Sequence, residues 1–367
     1  LEIALKGFQI TRTLCAPFSQ GAADTCLRTT LKFALGRVIY GKTVFDIPQP
    51  RRVLVDAFLD ILICECETIG AARGFSVVPE QFSVWAAVVK YFVTIQLEKM
   101  VDDISAVLGS RFYMRDEHDY GVFQKMLRDN AIISVFDGST VVNLHALILQ
   151  FRQLAKYRSR LNEKKLTALE TRLGQEFALE EAAPNFDPTK LALFGRGADD
   201  ALQGLELSLQ KLEALKGATE VKQEVLENII TLAHKVKEEN DALHEIFANS
   251  SFEFGHDQTP ESFELAKKYC TLHAASACIH MWVYNYQTLD SFFTQGEWLV
   301  LALNRLLKPY RPQEELILPD YVENVAQQLV KLYKEDKMFS IVPFQLAQTK
   351  PQENKQDATS EKLQLQV

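Results

Sequence analysis

Residues 138–155 read G-S-T-V-V-N-L-H-A-L-I-L-Q-F-R-Q-L-A, and apolar side chains recur in this stretch at intervals of three and four residues. The repeat consists of Val141, Leu144, Ile148, Phe151 and Ala155. These intervals place the five side chains on one face of an α-helix, because a helix completes a turn in about 3.6 residues. The stretch therefore predicts an amphipathic helix that buries one face against other helices.

Four further helical patterns precede this helix, and strand-type alternation is almost absent. They cover about residues 8–38, 52–72, 81–108 and 122–130. A turn with Gly41, Pro48 and Pro50 separates the first two patterns. Because long antiparallel helices joined by short turns form a bundle, the sequence predicts an all-α fold that begins with a helical bundle.

The second half of the chain is also predicted to be helical. A charged stretch leads to Ala183-Pro184-Asn185-Phe186-Asp187-Pro188, whose turn-forming residues indicate a boundary. Helical patterns follow at about 188–215, 220–248, 260–284, 291–307 and 321–334. We predict a first bundle at 1–157, a linker at 158–187, a second helical domain at 188–340 and a polar, disordered tail at 341–367.

Composition excludes several classes of protein. The chain has 367 residues, 47% of them hydrophobic, and a net charge of −8, which argues against nucleic acid as a partner. No apolar stretch is long enough for a transmembrane segment. Six cysteines without paired spacing indicate a reducing compartment, and we expect the cytoplasm. Because the chain starts with Leu1 rather than Met, we expect it to be part of a longer protein.

Four short motifs in the first bundle occur in a characteristic order. They are Phe8-Gln9-Ile10-Thr11-Arg12, Arg37-Val38-Ile39-Tyr40-Gly41, Lys90, and the pair Arg128-Asp129-Asn130 with Phe136-Asp137-Gly138-Ser139. With the motifs in this order, the region from about residue 5 to residue 157 resembles the C-terminal helical domain of the acyl-CoA dehydrogenases, which are FAD-dependent flavoenzymes. The second half resembles only the helical domains that some members append, and no function is carried over to it.

The resemblance implies a reaction on an acyl thioester. Family members remove a proton next to the thioester carbonyl while a hydride leaves the neighbouring carbon for the flavin. Asp137 stands at the position of the catalytic base, where the closest-looking branch has Glu. Gln9, Arg12 and Gly138 match substrate-side positions. The implied substrate is an acyl-CoA or an acyl-carrier protein, and the implied electron acceptor is a separate partner.

The resemblance also implies FAD contacts and an assembly. The matching positions are Arg37, Ile39, Pro48, Gly109, Ser139 and Val141. Arg37 would reach the FAD pyrophosphate across a dimer interface, so a homodimer or homotetramer is expected. Two positions depart from the family pattern: Pro48 replaces a Gln that contacts FAD, and Gly109-Ser110 keeps one of two glycines.

The role of Asp137 stays open at the level of sequence. Ahead of a helix N-terminus its carboxylate should remain ionised and able to accept a proton. An Asp-Gly turn before Ser or Thr is equally a common way to begin a helix with no chemistry. Asp is also one methylene shorter than Glu, and displacements of about 1 Å can cost a proton-transfer site on the order of a hundredfold.

Two alternatives to the dehydrogenase follow from these departures. One is a degenerate, flavin-free family member that serves as a dimerisation or docking module. The other is an oxidase relative with an Asp base. Separately, Cys270, His273, Cys278 and His280 share one helical stretch and could in principle be zinc ligands. Their apolar surroundings favour buried thiols and hydrogen-bonded histidines instead, and no metal is expected.

Overall fold

The computed structural model describes residues 1–250, 255 and 257–347, and nearly all regular structure within them is helical. The first six helices are α1 (Glu2–Gly36), α2 (Pro48–Val77), α3 (Phe82–Leu108), α4 (Val122–Ile133), α5 (Thr140–Ile148) and α6 (Phe151–Arg158). A short antiparallel hairpin of β1 (Val38–Ile39) and β2 (Lys42–Thr43) connects α1 to α2. The prediction of an all-α fold is confirmed.

Eight helices form the remainder. They are α7 (Glu163–Phe177), α8 (Asp200–Gln203), α9 (Leu205–Ala214), α10 (Gln223–Asn249), α11 (Pro260–Asn285), α12 (Ser291–Gln295), α13 (Glu297–Leu307) and α14 (Pro319–Lys334). Within the described residues, no helix combines the length and apolar character needed to cross a bilayer.

Helix α3 lies at the centre of the first bundle, between α1 and α2. Nine consecutive residues, 82–90, are all buried, as expected for a helix that is apolar on every side. Helix α11 packs on α2 and α3, with Tyr269 and Trp282 fully buried. The hydrophobic core therefore continues from the first half of the chain into the second.

Three predicted helices differ from the observed ones. The predicted fifth helix is interrupted at Leu149–Gln150, where the Gln150 N–H donates to the Leu147 carbonyl (2.8 Å) and Gln150 Oε1 accepts hydrogen bonds from the Ser83 hydroxyl (3.1 Å) and the Gly195 N–H (2.9 Å). The pattern at 291–307 is divided at Gly296, whose φ of +79° ends α12. The pattern at 188–215 becomes helical only from Asp200 onward, after an irregular segment.

The predicted linker and tail also contain ordered structure. Helix α7 lies inside the predicted linker, because Leu169, Leu173 and Phe177 recur at helical spacing and are buried. In the predicted tail, Ile341 is buried and Gln345 forms a bridge with Lys337, so disorder is wrong for residues 341–347. The remaining tail, 348–367, lies outside the described residues. The division into two domains stays a prediction.

A buried polar network joins the two halves of the chain. His273 on α11 lies with Nδ1 2.9 Å from Glu67 Oε2 on α2 and with Nε2 3.3 Å from Asp199 Oδ1 before α8. The Tyr269 hydroxyl donates to Asp199 Oδ2. Burial by itself lowers the pKa of His273, but the two carboxylates outweigh it and raise that pKa to about 10.

Candidate functional site

Asp137 occupies a strained turn between α4 and α5. Its φ of +59° is left-handed, a conformation that costs a non-glycine residue of order 1–3 kcal/mol. The Nε of Arg12 on α1 donates a 3.0 Å hydrogen bond to the backbone carbonyl of Asp137 and so fixes the turn. Oδ2 of Asp137 is buried and has no hydrogen-bond partner among the described residues. Strain and an unpartnered buried oxygen together mark this carboxylate as a candidate functional group.

Gly138 allows Arg12 to approach the turn closely. A Cβ on Gly138 would lie 2.8 Å from Nη2 of Arg12, and the glycine φ is +99°. On the other side, Nδ2 of Asn143 donates to the carbonyl of Gly138 (2.8 Å) and to that of Ser139 (2.9 Å). Sequence analysis did not identify Asn143. The signal in the sequence was a single amide side chain within an apolar stretch, between Val142 and Leu144, and the structure shows that it is fully buried.

Helix α5 begins without a side-chain cap. Ser139 is its N-cap residue but makes no capping hydrogen bond, and Asp137 Oδ2 caps nothing. The turn predicted by the Asp-Gly pair is present, since both residues have left-handed φ values. The turn of the alternative role is thus present, whereas a capping hydrogen bond from Ser139 is not observed.

A buried lysine lies behind the turn. The Lys90 amine donates to the Ile133 carbonyl and lies 4.7 Å from the centre of the Phe136 ring. The nearby Cys15 thiol donates to the Thr11 carbonyl at 3.3 Å. Burial lowers the pKa of Lys90 and raises that of Cys15. Cys15 was not identified from sequence, although it lies one helical turn after Arg12. These contacts hold the Phe136 end of the turn against the bundle.

Gln9, predicted at the substrate side, contacts a segment from beyond the first bundle. Its Nε2 donates to the carbonyl of Ala192 at 2.8 Å, while its Oε1 is buried without a hydrogen-bond partner among the described residues. The side chain is 4% exposed. Gln9 therefore supports the segment 191–198 and keeps one acceptor available next to it.

The predicted flavin positions fall into two groups. Ser139 and Val141 lie beside Asp137, whereas Arg37, Ile39 and Pro48 lie at the far end of α1. Gly109 belongs to the far group, because the segment after α3 returns to α1, where Arg111 stacks on Phe33 at 4.9 Å. Arg12 and Arg37 are 25 residues apart on one helix, which corresponds to roughly 37 Å along its axis. One chain does not bring the two groups together.

The residues of the far group differ in what they offer a ligand. Arg37 is exposed at the end of α1, and Ile39 is half-buried in the hairpin. Gly109 has a left-handed φ of +65° and open space where a Cβ would lie. Pro48 is exposed at the first position of α2 and has no N–H to donate.

Apolar side chains surround the Asp137 turn on the protein surface. The exposed members, on either side of the turn along the chain, are Ile132, Val135, Phe136, Val141 and Val142. Val141, placed by its periodicity on the buried face of α5, is 60% exposed. An apolar face of this kind next to a strained functional turn is typical of a surface that another domain or subunit covers.

The histidines and cysteines of α11 are buried in the core. Nδ1 of His280 lies 2.7 Å from the Ser208 hydroxyl, and its Nε2 lies 2.8 Å from the Ala201 carbonyl. Cys270 and Cys278 are fully buried free thiols. In the part of the chain that the structure describes, no group of three or more His, Cys, Asp or Glu residues could hold a metal ion.

Known proteins that match the chain share its helical fold. The family described as "Acyl-CoA dehydrogenase, C-terminal domain" matches residues 1–150. The acyl-CoA dehydrogenase of Bacillus anthracis complexed with FAD superposes with a TM-score of 0.52 and 12% identity, over 91% of this chain and 57% of that chain. No curated protein sequence matches the chain.

Two structures from Caenorhabditis elegans are also similar. ACDH-11 in complex with C11-CoA has a TM-score of 0.47 and 18% identity, over 89% of this chain and 46% of that chain. Acyl-CoA oxidase-1 complexed with FAD and ATP has a TM-score of 0.45 and 12% identity, over 89% of this chain and 47% of that chain. The chain thus spans about half the length of the solved structures that it matches.

The family match covers the first bundle, which contains the Asp137 turn. Residues 1–150 belong to the family of acyl-CoA dehydrogenase C-terminal domains. The likeness to the Bacillus anthracis structure extends the shared fold beyond residue 150, since it covers 91% of this chain.

Proposed function

We propose that the chain is the C-terminal part of an FAD-dependent acyl-thioester dehydrogenase in which Asp137 is the catalytic base. The observation that carries this proposal is Oδ2 of Asp137, a buried carboxylate oxygen without a hydrogen-bond partner among the described residues. A base needs an acceptor that other groups have not already occupied. The strained backbone at Asp137 supports the proposal, because such strain collects at functional sites.

The residues around Asp137 would position the substrate and the base. Asp137 accepts the proton from the carbon next to the thioester carbonyl. Arg12 holds the Asp137 backbone and so orients its carboxylate. Gly138 allows the Arg12 guanidinium to lie close to the backbone of the turn. Bound FAD would supply the acceptor for the hydride that leaves the neighbouring carbon.

The flavin positions support a homodimer or a larger assembly built from such dimers. The two groups lie roughly 37 Å apart along α1. One flavin therefore cannot contact both groups of the same chain at once. A second copy can bring its Arg37 end to the Asp137 end of the first. Exposed Arg37 fits a pyrophosphate, and open Gly109 fits close approach of the cofactor. Pro48 does not fit a hydrogen-bonding role.

The remaining parts of the assignment rest on general chemistry. The substrate is an acyl-CoA or an acyl-carrier protein, and the electrons pass to a separate acceptor in fatty acid metabolism. The cytoplasm suits the six cysteines, all of which are free.

Absorption spectroscopy of the full-length protein tests the proposal. A flavin band should bleach when acyl-CoA is added anaerobically, and Asp137→Asn should abolish the bleaching while the flavin stays bound. Asp137→Glu, which restores the family residue, is the matched control and should retain measurable bleaching. Bleaching that persists in Asp137→Asn would rule out Asp137 as the base. Reoxidation by oxygen in turnover would indicate the oxidase variant of the reaction.

Pro48 favours a second candidate function, a flavin-free module for dimerisation or docking. Its position offers no donor where the family has an FAD contact, and the exposed apolar face around Asp137 would then serve assembly alone. A colourless full-length protein that fails to take up added FAD supports this function and contradicts the dehydrogenase.

A further inference from the structure

A cavity of about 480 Å³ lies in the second half of the chain, beside the outer face of α14. Its lining comes from the residue that precedes α10, from α12, from the first residue of α13 and from α14. All of these elements follow residue 150, so the cavity lies outside the matched family region. Its volume is that of a site for a small molecule.

The wall formed by α12 and α13 is fixed by the core. The carbonyl of Phe293 accepts hydrogen bonds from the indole N–H groups of Trp282 (3.1 Å) and Trp298 (3.0 Å). Between the two helices Gly296 has a left-handed φ of +79°, and a Cβ there would lie 2.8 Å from a side chain of α10. The next residue, Glu297, lines the cavity. This wall is therefore formed in advance of any ligand.

One buried amide of the cavity has no hydrogen-bond partner. Gln328 on α14 lines the cavity and is only 6% exposed, and its side chain makes no hydrogen bond to a described residue. Asn324, one turn earlier on the same helix, donates to Glu297 Oε2 at 2.6 Å. Because a buried amide left unpaired destabilises a fold, Gln328 calls for a partner in the cavity. It offers N–H donors and one oxygen acceptor.

Positive charge exceeds negative charge in the lining. Lys222 and Lys331 are exposed, and Glu297 is the single carboxylate among the described lining residues. Lys222 neutralises it, with Nζ 3.4 Å from Glu297 Oε1. Lys331 makes no ion pair in the described part of the chain, and Glu335, one turn further on, pairs with Lys337 at 2.8 Å. The cavity therefore keeps one uncompensated cation.

Two helices also begin at this cavity. Helix α10 starts directly after Lys222, and α13 starts with Glu297. Neither helix has a side-chain cap at its start. The first N–H groups of a helix lack acceptors within the helix and carry partial positive charge, so both ends favour an anion. They add to the charge of Lys331 and to the donors of Gln328.

We propose that this cavity binds the oxyanion of a small carboxylate or phosphate compound, with Lys331 on its charge and the Gln328 amide as a hydrogen-bond donor. Carboxylates and phosphates share this chemistry. Half-buried Phe292 provides an apolar wall for the remainder of the ligand. A bound ligand would connect α12, α14 and the start of α10, so it should raise the stability of the folded chain. The site is independent of the chemistry at Asp137.

Calorimetry and thermal unfolding of the full-length protein test the inference. The probes are inorganic phosphate and benzoate, each titrated at constant ionic strength so that general screening does not change. Gln328→Leu removes the amide at similar volume, and Lys331→Gln removes the charge. We expect each variant to raise the Kd of the probes about tenfold and to reduce the increase in Tm. Lys334→Gln, at an exposed lysine of α14 that does not line the cavity, should change neither.

The outcomes decide both the site and the class of ligand. Absence of saturable binding for both probes overturns the inference. The same holds if Gln328→Leu binds as tightly as wild type, or if Lys334→Gln weakens binding as much as Lys331→Gln, because the attraction would then be a general property of the surface. If the site is confirmed, tighter binding of benzoate assigns it to carboxylates with an apolar group, and tighter binding of phosphate assigns it to phosphate compounds.

Discussion

At the scale of single residues, Gly138 determines whether Arg12 can hold the Asp137 turn. Replacement by Ala would bring a Cβ within 2.8 Å of Nη2 of Arg12 and place it on a backbone with φ of +99°. We expect Gly138→Ala to lower the free energy of unfolding by about 1–3 kcal/mol and to abolish flavin bleaching by acyl thioesters. Urea denaturation and the spectral titration measure the two effects.

A second glycine separates backbone strain from the contact with Arg12. Gly217 also has a left-handed φ, +73°, but nothing lies within 4 Å of the position of its Cβ. Gly217→Ala should therefore show the strain alone and leave bleaching intact. Equal effects of the two substitutions on stability and activity would show that Arg12 does not depend on Gly138.

The sequence predicts the contacts of single side chains less well than it predicts the motifs and helical patterns to which they belong. Asp137, Arg12 and Gly138 were identified from motifs, and the structure brings these three together. Cys15 was missed, because a thiol in a helix carries no local sign that Lys90, 75 positions later, will influence its pKa. Contacts between distant segments depend on packing, which a local pattern does not encode.

At the scale of elements, periodicity predicts helices and long-range hydrogen bonds decide where they break. Helix α3 was predicted almost to its ends, and its first part, residues 82–90, is buried on all sides, so its helical pattern needs no partner-specific signal. The break between α5 and α6 was missed, because Gln150 is held by Gly195, which is 45 residues away. The same limit explains why Ile341 was placed in a disordered tail although a distant carboxylate binds it.

That carboxylate, Glu65 on α2, anchors the segment after α14. It accepts hydrogen bonds from the Ser340 hydroxyl and from the Ile341 N–H (2.6 Å), and burial raises its pKa to about 7. The folded state therefore binds a proton more tightly than the unfolded state, whose Glu has a pKa near 4.5. The contribution of Glu65 to stability is fully present below pH 4.5 and is lost as the pH rises through 7.

Replacing Glu65 by Gln should remove this dependence. From pH 4.5 to 8, we expect the unfolding free energy of Glu65→Gln to rise relative to that of wild type. Urea denaturation at several pH values measures this difference. Asp46→Asn is the control, because Asp46 is an exposed carboxylate whose pKa is lowered by a hydrogen bond from Thr43. A difference for Glu65→Gln that does not change with pH would show that this carboxyl does not titrate near neutrality.

At the scale of the whole molecule, the contact between the two halves contains charge as well as apolar surface. Buried charges are stable only when they are paired, and removing one partner of a buried pair costs about 3–5 kcal/mol. His273 from the second half neutralises Glu67 from the first, and Asp199 completes the network. This explains why the two halves share one core even though composition alone suggested a boundary near residue 188.

The charge on His273 gives the molecule a predictable response to pH. Its pKa is about 10 in the folded state, raised by the Glu67 and Asp199 carboxylates against the effect of burial, and near 6.5 when unfolded. The stabilisation is therefore fully present below pH 6.5 and is lost as the pH rises towards 10. His273→Gln leaves two buried carboxylates without a cation, so we expect a loss of about 3–5 kcal/mol at pH 7 and a flatter pH dependence above it.

A second histidine on the same helix provides the matched control. His280 is equally buried, but its pKa is lowered to about 4 by burial, and both of its nitrogens have neutral partners. His280→Gln should therefore keep the wild-type loss of stability between pH 7 and 10, whereas His273→Gln should not. Urea denaturation across this range measures both slopes. If the two variants show the same slope as wild type, His273 is neutral in the folded protein and contributes no ion pair between the halves.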